Sequence, residues 1–361
     1  MMERQKIIIS DGLEHVLREA IEECRPDRKF VLVDETTERL CLPLVDGFDC
    51  MQDAGRIVIK AGDEHKTMES LAHVWSELQR MGATRHSLLI NLGGGMVTDL
   101  GGFAAATFKR GIGCINIPTT LLAMVDASVG GKTGINFGGL KNEVGVFRNA
   151  SSVILDTVFL KTMDAENLLS GYAEMLKHGL IEDRSSAEGR KRRMLDELLD
   201  LELPLALEGE KGVSLIADNV AVKQRIVLED PTEQGLRKAL NLGHTVGHAF
   251  ESLALRKGTP VLHGYAVAWG LVCELYLSVI KTGFPVDTMR RVVSFIVENY
   301  GRMDITCDDY PALLELMTHD KKNLAGVINF SLLSEVGQLR LNQTATKEEI
   351  EEALDFYREG Q

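Results

Sequence analysis

Up to about Leu155 the chain alternates short runs rich in β-branched residues with longer amphipathic stretches. Within Gly12–Glu23 and Thr67–Arg80, apolar residues recur at three- and four-residue intervals, which predicts helices. Strands that alternate with helices predict a parallel sheet covered on both faces, and such a sheet binds its ligands at the carboxyl ends of its strands. The six runs that predict strands are Lys6–Ser10, Lys29–Val33, Arg56–Lys60, Ser87–Asn91, Cys114–Ile117 and Ser152–Leu155.

Helical patterns dominate after about Phe159. Two late segments, Gly326–Leu333 and Gln338–Leu341, have extended patterns instead. We therefore predict an α/β domain with a parallel sheet over residues 1–158, followed by a mainly α-helical domain over residues 159–361. The predicted helices of the second domain are Ala165–Ile181, Val213–Glu229, Leu236–Leu255, Tyr265–Ile280 and Thr288–Tyr300.

The charge and cysteine content narrow the class of protein. The chain carries 40 Lys and Arg against 53 Asp and Glu, a formal charge of −13, which argues against a nucleic-acid or anionic-membrane partner. A small anionic substrate needs only a local cluster of cations and stays possible. Six scattered cysteines without a C-x-x-C pair indicate reduced thiols and a cytoplasmic location. The apolar stretch Tyr265–Ile280 contains Glu274 and is shorter than a membrane span of about 20 residues.

Two glycine clusters are candidate anion sites. Gly93–Gly95 follow a buried-strand pattern, and glycines at a strand-to-helix junction let backbone N–H groups approach a phosphate. Their spacing is not G-x-G-x-x-G, and a tight turn with close helix–sheet packing explains three glycines equally well. The second cluster, Gly130–Gly134, places Lys132 in a glycine-rich loop, which suits an anion site or an ordinary turn.

Histidines and a carboxylate form a second candidate constellation. His244 and His248 are four residues apart and share one helix face, and glycines 243 and 247 leave space there for a ligand or another helix. His263 begins a later helix, and Glu174 lies one helical turn before Lys177. Two histidines and a carboxylate leave an open position on Zn²⁺. Spacing alone favours His244 and His248 as ligands, although a structural role accounts for such a pair as well.

Further cations in the helical half point to an anionic ligand. Each of them taken singly could also be a solvated surface residue. They are Lys223, Arg237, Lys321 and Lys322.

Taken in order, these motifs resemble the 3-dehydroquinate synthase family along nearly the whole chain. The matching residues are Gly93–Gly95, Asp99, Arg110, Pro118–Leu122, Asp126, Ser128–Thr133, Lys141-Asn142, Ala173-Glu174-x-x-Lys177, Lys223, Glu233, Gly235-x-Arg237, Leu240–Glu251, His263-Gly264 and Asp320–Lys322. Positions 98, 231–232 and 265 depart from the pattern, with Thr98, Pro231-Thr232 and Tyr265.

The resemblance implies a homodimeric enzyme that binds NAD and a divalent metal, Zn²⁺ with Co²⁺ as an alternative. Its metal ligands fall on Glu174, His244 and His263, which replaces the pair that spacing favours. The residues that the resemblance assigns to NAD are Asp63, Lys66, Gly94, Gly95, Asp99, Thr119, Thr120, Lys132, Lys141, Phe159, Leu160, Lys161 and Thr162.

The implied substrate is the sugar phosphate 3-deoxy-D-arabino-heptulosonate 7-phosphate. Oxidation by NAD⁺ acidifies a neighbouring proton, phosphate leaves, the hydride returns, and an aldol closure gives 3-dehydroquinate. Arg110 is implied to reach the partner subunit's site, while His248 transfers a proton or contacts phosphate. The residues implied in substrate binding and catalysis are Arg110, Asp126, Lys132, Asn142, Lys177, Lys223, Glu233, Arg237, Asn241, His248 and Lys321.

Three other functions remain open at this point. A sibling sugar phosphate cyclase such as 2-deoxy-scyllo-inosose synthase would share the layout, but Arg237 with Asn241 favours a substrate that bears a carboxylate. A metal-dependent polyol dehydrogenase would not need so many phosphate-directed cations. A non-catalytic nucleotide-binding protein would not need the complete set of candidate metal and cationic residues.

Overall fold

The computed structural model describes residues 5–138, 140–182, 194–201, 207, 209–318 and 328–360. The chain forms two compact units. The first unit comprises residues 1–164 and 208–220, and the second comprises residues 165–207 and 221–361. Lys321 and Lys322 lie outside the described residues.

A six-stranded parallel sheet forms the centre of the first unit, as predicted. Its strands run in the spatial order β1-β8-β5-β4-β2-β3. Gly93 pairs with Pro118, so the carboxyl ends of the two central strands β4 and β5 are adjacent. The strands are β1 (Ile7–Ile9), β2 (Lys29–Asp34), β3 (Gly55–Ile59), β4 (Leu88–Gly93), β5 (Gly113–Pro118) and β8 (Ser152–Leu155).

The two helices that periodicity predicts in this unit each bury one face. The first helix buries Val16, Leu17, Ala20 and Ile21, one stripe at three- and four-residue spacing. A 3-10 helix, Thr157–Thr162, follows β8. The α-helices are α1 (Leu13–Cys24), α2 (Glu35–Leu40), α3 (Met68–Arg80) and α4 (Gly95–Thr107).

The segment predicted as a loop at Gly130–Gly134 is part of a β-hairpin instead. Strands β6 (Lys132–Phe137) and β7 (Leu140–Phe147) pair antiparallel, with Gly134 opposite Gly145. A Cβ atom on Gly145 would lie 2.0 Å from the carbonyl oxygen of Thr133. The glycines are therefore required by the close approach of two strands, which the local sequence does not reveal.

The second unit is mainly helical, with one antiparallel pair of strands. The predicted helix Leu236–Leu255 is wrong as a single element, because a 3-10 helix over Leu236–Asn241 precedes α8 (His244–Arg256). Gly243 separates them with φ of 79°, a left-handed conformation that glycine adopts without strain. The other elements are α5 (Ala165–Ile181), α6 (Met194–Leu199), α9 (His263–Thr282), α10 (Val286–Tyr300), α11 (Tyr310–Thr318), β9 (Asn329–Glu335), β10 (Gln338–Thr344) and α12 (Lys347–Glu359). A further helix, α7 (Gly209–Glu229), begins in the first unit and ends in the second.

Helix α9 is long and apolar enough to span a membrane, and it is the one such helix among the described residues. It has 20 residues, four more than the segment predicted from the sequence, so its length does not exclude a span. However, 72% of its apolar window is buried inside the protein. Packing as a core helix therefore accounts for its composition.

Candidate metal and nucleotide sites

Glu174 and Lys177 lie inside the core of the second unit, one turn apart on α5. Their side chains are 0% and 1% exposed and form an ion pair between Lys177 Nζ and Glu174 Oε2. Burial would raise the pKa of Glu174, but the Lys177 ammonium and nearby histidines hold that pKa well below its usual range. The chain therefore maintains a carboxylate where solvent cannot stabilise one.

Two imidazoles face one oxygen of this carboxylate. The Nε2 atoms of His244 and His263, the first residues of α8 and α9, lie 3.4 and 3.6 Å from Glu174 Oε1. Ligand atoms at about 2.0–2.1 Å from a tetrahedral Zn²⁺ lie roughly 3.3–3.5 Å apart. Each of the two imidazole nitrogens thus lies about as far from Glu174 Oε1 as two ligand atoms lie from each other around one small cation.

The other ring nitrogen of each histidine has its own partner. His244 Nδ1 lies 3.1 Å from the carbonyl oxygen of Leu242, and His263 Nδ1 lies 3.4 Å from Glu251 Oε2. Such acceptors hold Nδ1 protonated and leave Nε2 available as the ligand atom. Burial would lower the pKa of His263, but the carboxylates of Glu174 and Glu251 raise it to about 10, so a metal that binds Nε2 must displace a proton from it.

The donor set fits a divalent cation. Both oxygens of Glu174 are buried; Oε2 pairs with Lys177 Nζ, whereas Oε1 faces the two imidazole nitrogens at distances longer than those of a well-formed hydrogen bond. A buried acceptor without a donor is costly, and a cation held by one carboxylate and two imidazoles would satisfy it. Zn²⁺ and Co²⁺ both favour nitrogen and oxygen donors of this kind.

His248 lies in the same cluster. Its ring centroid is 5.2 Å from that of His244 and 5.8 Å from that of His263. One nitrogen from each of the three histidines lies within 4.8 Å of the others, so these rings also form a possible metal group. Spacing favours His244 and His248 as ligands, whereas the resemblance implies Glu174, His244 and His263. Both sets contain His244, and the choice between His248 and His263 stays a prediction.

Buried cations mark the remaining candidate residues. Within the part of the chain that the structure describes, every buried lysine or arginine is one that the sequence assigned to a site. Burial of a charge is expensive, so buried cations are uncommon without a specific role. Their exposures are 4% for Lys66, 1% for Lys177, 6% for Lys223 and 2% for Arg237.

A tight loop positions Arg237 and Asn241. The Arg237 guanidinium donates to the carbonyl of Pro231 at 2.8 Å, and its backbone N–H donates to Asp230 Oδ2 at 3.0 Å. Asn241 Nδ2 donates to Glu233 Oε1 at 2.8 Å, and Glu233 has φ of 61°. Glu233 therefore contacts Asn241, another predicted site residue, and its own backbone has a conformation that non-glycine residues rarely adopt.

In the first unit, the glycine-rich turn leads from β4 into α4. Gly94 caps α4, and a Cβ atom there would lie 3.1 Å from Thr120 Cγ2. The backbone N–H of Thr119, which follows β5, donates to the Gly93 carbonyl at 3.0 Å. The predicted glycines and threonines thus meet at the carboxyl ends of two adjacent strands, where the N-terminus of α4 favours an anion.

Lys66 connects other residues assigned to the nucleotide. Its Nζ lies 3.2 Å from both Asp63 Oδ1 and Asp99 Oδ2, and it donates to Asn142 Oδ1 at 2.6 Å. Lys141 Nζ lies 3.4 Å from Asp63 Oδ2. Although burial would raise the pKa of Asp63, Lys66 and Lys141 lower it.

The other predicted residues of the first unit lie in different settings. Asp126 is half-buried on a short π-helix, Ala123–Ala127. Arg110 and Lys132 are exposed, the first with φ of 69° and the second at the start of β6. Phe159, Leu160, Lys161 and Thr162 lie on the 3-10 helix after β8, where Phe159 is fully buried.

Sequence reasoning assigned no role to two polar side chains that support this geometry. Glu251 contacts His263, and its position seven residues after His244 places both on one helix face, a signal that was present in the sequence. Ser170 Oγ accepts the backbone N–H of Gly264 at 3.0 Å and so joins α5 to the start of α9. No local pattern indicates that second contact.

The chain is similar to known proteins along most of its length. Residues 56–170 match the family model for the 3-dehydroquinate synthase N-terminal domain, and residues 171–323 match the model for its C-terminal domain. The chain is 54% identical over 359 residues to a 3-dehydroquinate synthase of Parabacteroides distasonis, with 99% of each chain covered.

Two solved structures share the fold at lower identity. One is ValA, a 2-epi-5-epi-valiolone synthase of Streptomyces hygroscopicus with NAD⁺ and Zn²⁺ bound (TM-score 0.82, 24% identity, 99% and 97% of the two chains covered). The other is a 2-deoxy-scyllo-inosose synthase complexed with carbaglucose-6-phosphate, NAD⁺ and Co²⁺ (TM-score 0.81, 23% identity, 98% and 96% covered). With two family models across most of its length and a full-length relative at this identity, the chain belongs to the 3-dehydroquinate synthase family.

Proposed function

We propose that this protein converts 3-deoxy-D-arabino-heptulosonate 7-phosphate into 3-dehydroquinate and phosphate, without net redox change. It does so as a cytoplasmic homodimer with NAD and Zn²⁺, or Co²⁺, bound. The observation that carries the proposal is the position of His244 and His263 Nε2 at 3.4 and 3.6 Å from one oxygen of the fully buried Glu174. The 54% identical synthase supports the choice of substrate.

Glu174, His244 and His263 would hold the metal. When bound, it supplies positive charge that acidifies a substrate hydroxyl, and NAD supplies a reversible hydride acceptor. Lys177 keeps Glu174 ionised and therefore able to act as a ligand. Glu251 orients the His263 ring through its Nδ1 atom.

The cations have distinct roles towards an anionic substrate. Arg237 and Lys223 bind its carboxylate, since the planar guanidinium matches two oxygens. Lys177, Lys132 and the partner subunit's Arg110 stabilise the departing phosphate. Other substrate contacts come from Asp126, Asn142, Glu233, Asn241, His248 and one lysine of the Asp320–Lys322 run, for which we choose Lys321.

Residues 1–158 form the NAD-binding domain in this proposal, and residues 159–361 form the metal- and substrate-binding domain. The backbone N–H groups after β4 receive the NAD pyrophosphate at the start of α4. Asp63, Asp99 and Lys141, joined through Lys66, add polar contacts beside Thr119, Thr120 and the Phe159–Thr162 segment.

One assay tests the reaction against its rivals. The protein receives the heptulosonate phosphate with catalytic NAD⁺ and Zn²⁺, while phosphate and NADH absorbance are followed together. We expect phosphate release without accumulation of NADH. Steady NADH production would favour a dehydrogenase, phosphate release from glucose 6-phosphate alone would favour a sibling cyclase, and no reaction with either sugar phosphate would favour a non-catalytic role.

A further inference from the structure

Glu274 is a buried carboxylate for which neither the sequence nor the proposed mechanism has a use. It lies on α9, eleven residues after His263, and is 0% exposed. Its Oε2 atom accepts the backbone N–H of Gly243 at 2.7 Å, and its Oε1 atom accepts the backbone N–H of Val246 at 3.1 Å. Both donors belong to the turn that carries His244.

These two donors are groups that a helix start leaves without an intrahelical partner. The side chain of an N-cap residue commonly accepts the N–H of N3, which is Val246 here, but α8 has Gly243 as its N-cap and therefore has no such side chain. Glu274 supplies the missing acceptor from another helix. A carboxylate in this position also lies at the end of α8 where the helix dipole favours an anion.

The contact fixes the backbone on both sides of His244. Gly243 precedes this residue, and Val246 follows it by two positions. The backbones of α8 and α9 are also close here, since a Cβ atom on Gly270 would lie 2.0 Å from the carbonyl oxygen of Gly243. Helix α9, which begins with His263, therefore holds the first turn of α8, which begins with His244.

We propose that Glu274 is a positioning residue that sets His244 Nε2 at its distance from Glu174 and His263. This inference rests on the proposed metal site. It adds a residue that contacts neither metal nor substrate and acts through the backbone of the α8 start.

Glu274→Gln tests the proposal, because the amide keeps the volume but turns an N–H group towards a backbone donor. Ser278→Ala is a matched control on the same buried helix: Ser278 Oγ donates to the backbone carbonyl of Glu274 at 2.7 Å and accepts the N–H of Leu333 at 3.2 Å, so its loss perturbs the same turn of α9 but leaves the Glu274 carboxylate in place. Zn²⁺ affinity is measured by chelator competition, and the site geometry by the visible absorption of the Co²⁺ protein. We expect Zn²⁺ affinity to fall about 10- to 100-fold, with an altered Co²⁺ spectrum, in Glu274→Gln alone.

Unchanged Zn²⁺ affinity and Co²⁺ spectrum in Glu274→Gln would overturn the proposal, as would an equal loss of affinity in Ser278→Ala. Amide hydrogen exchange of the metal-free protein separates this failure from failure of the metal site itself. If wild-type protein retains no Zn²⁺, slow exchange at Gly243 and Val246 that is lost in Glu274→Gln still supports a positioning role of Glu274 through these two hydrogen bonds. Fast exchange of these two amides in wild type overturns it, and this measurement does not require the variant to fold.

Discussion

Glu174 has no contact with solvent, yet the residues around it keep it ionised. Lys177 pairs with one oxygen, and the Nε2 atoms of His244 and His263 face the other. A buried charge that lost these partners would pay the full cost of desolvation. The ability of Glu174 to act as a charged metal ligand therefore depends on Lys177 and the two histidines.

Substitutions at Glu174 and His248 should distinguish a metal ligand from a residue that only lies beside the metal site. Glu174→Gln removes a ligand charge, and we expect Zn²⁺ affinity to fall by more than the ~10–100-fold that loss of an outer-shell partner costs. His248→Gln changes the same cluster and should bind Zn²⁺ as wild type does while turnover falls. Zinc content after dialysis against a chelator measures both. Loss of metal from His248→Gln would instead favour the His244–His248 pair.

Lys66 should make a pH-dependent contribution to stability through Asp63. The pKa of Asp63 is lowered in the folded protein, so its pairing stabilises fully above the unfolded pKa of about 3.9 and is lost as pH falls through the folded value. Lys66→Met removes the nearer of two lysines. We expect the variant to melt below wild type at pH 6 and the difference to shrink towards pH 3. A difference independent of pH would contradict this origin.

Helices α5, α8 and α9 approach one another through small residues. A Cβ atom on Gly247 would lie 2.8 Å from the carbonyl oxygen of Ala266, and one on Gly264 would lie 1.9 Å from that of Ser170. Glycines 243 and 247 were expected to leave space for a ligand or another helix. In the structure, helix α9 packs against both of them. This close contact brings the first turns of α8 and α9 to Glu174.

Gly264→Ala should disturb this contact and the site with it. The added methyl must displace backbone, and overpacking of this kind costs about 1–3 kcal/mol. We expect a melting temperature several degrees lower and weaker Zn²⁺ retention. Gly47→Ala is the control, because nothing lies within 4 Å of its Cβ position. Equal melting temperatures for the two variants would show that α9 moves to accept the methyl.

At the scale of the whole molecule, the proposed homodimer has a candidate surface on the β6–β7 hairpin. Phe137, Leu140 and Phe147 are 55%, 58% and 50% exposed there. Phe137 pairs with Leu140 at one end of the hairpin, and Phe147 pairs with Lys132 at the other. Large apolar side chains exposed on one element are typical of surfaces that another subunit covers. This exposure supports the proposed dimer alongside the assignment of Arg110 to the partner's site.

Mixing two inactive variants tests that assignment. Arg110→Ala and Glu174→Gln homodimers should each be nearly inactive. If Arg110 acts across the interface, each mixed dimer has one intact site, and an equimolar mixture after subunit exchange should reach roughly a quarter of wild-type activity. If Arg110 acts within its own subunit, no site in the mixture is complete and activity stays at the level of the separate variants.

The parallel α/β sheet and the helical second half could be predicted from the amino-acid sequence, because periodicities of two and of three to four residues are local properties of the chain. The sequence by itself also determined the family and its ordered motifs, and it named each buried cation of the described residues. A count of residues along one helix pairs His244 with His248, but it takes no account of side chains elsewhere in the chain and so does not decide between His248 and His263 as the second histidine ligand.

Only the tertiary structure brought His263 and Glu251 beside that pair, and only it showed the break at Gly243 and the hairpin at Lys132. The hydrogen bonds of Glu274 to Gly243 and Val246 belong to the same class, because they join positions about thirty residues apart. Contacts of this range depend on how helices pack, and packing is set by the fit of whole faces, which no short window of sequence contains.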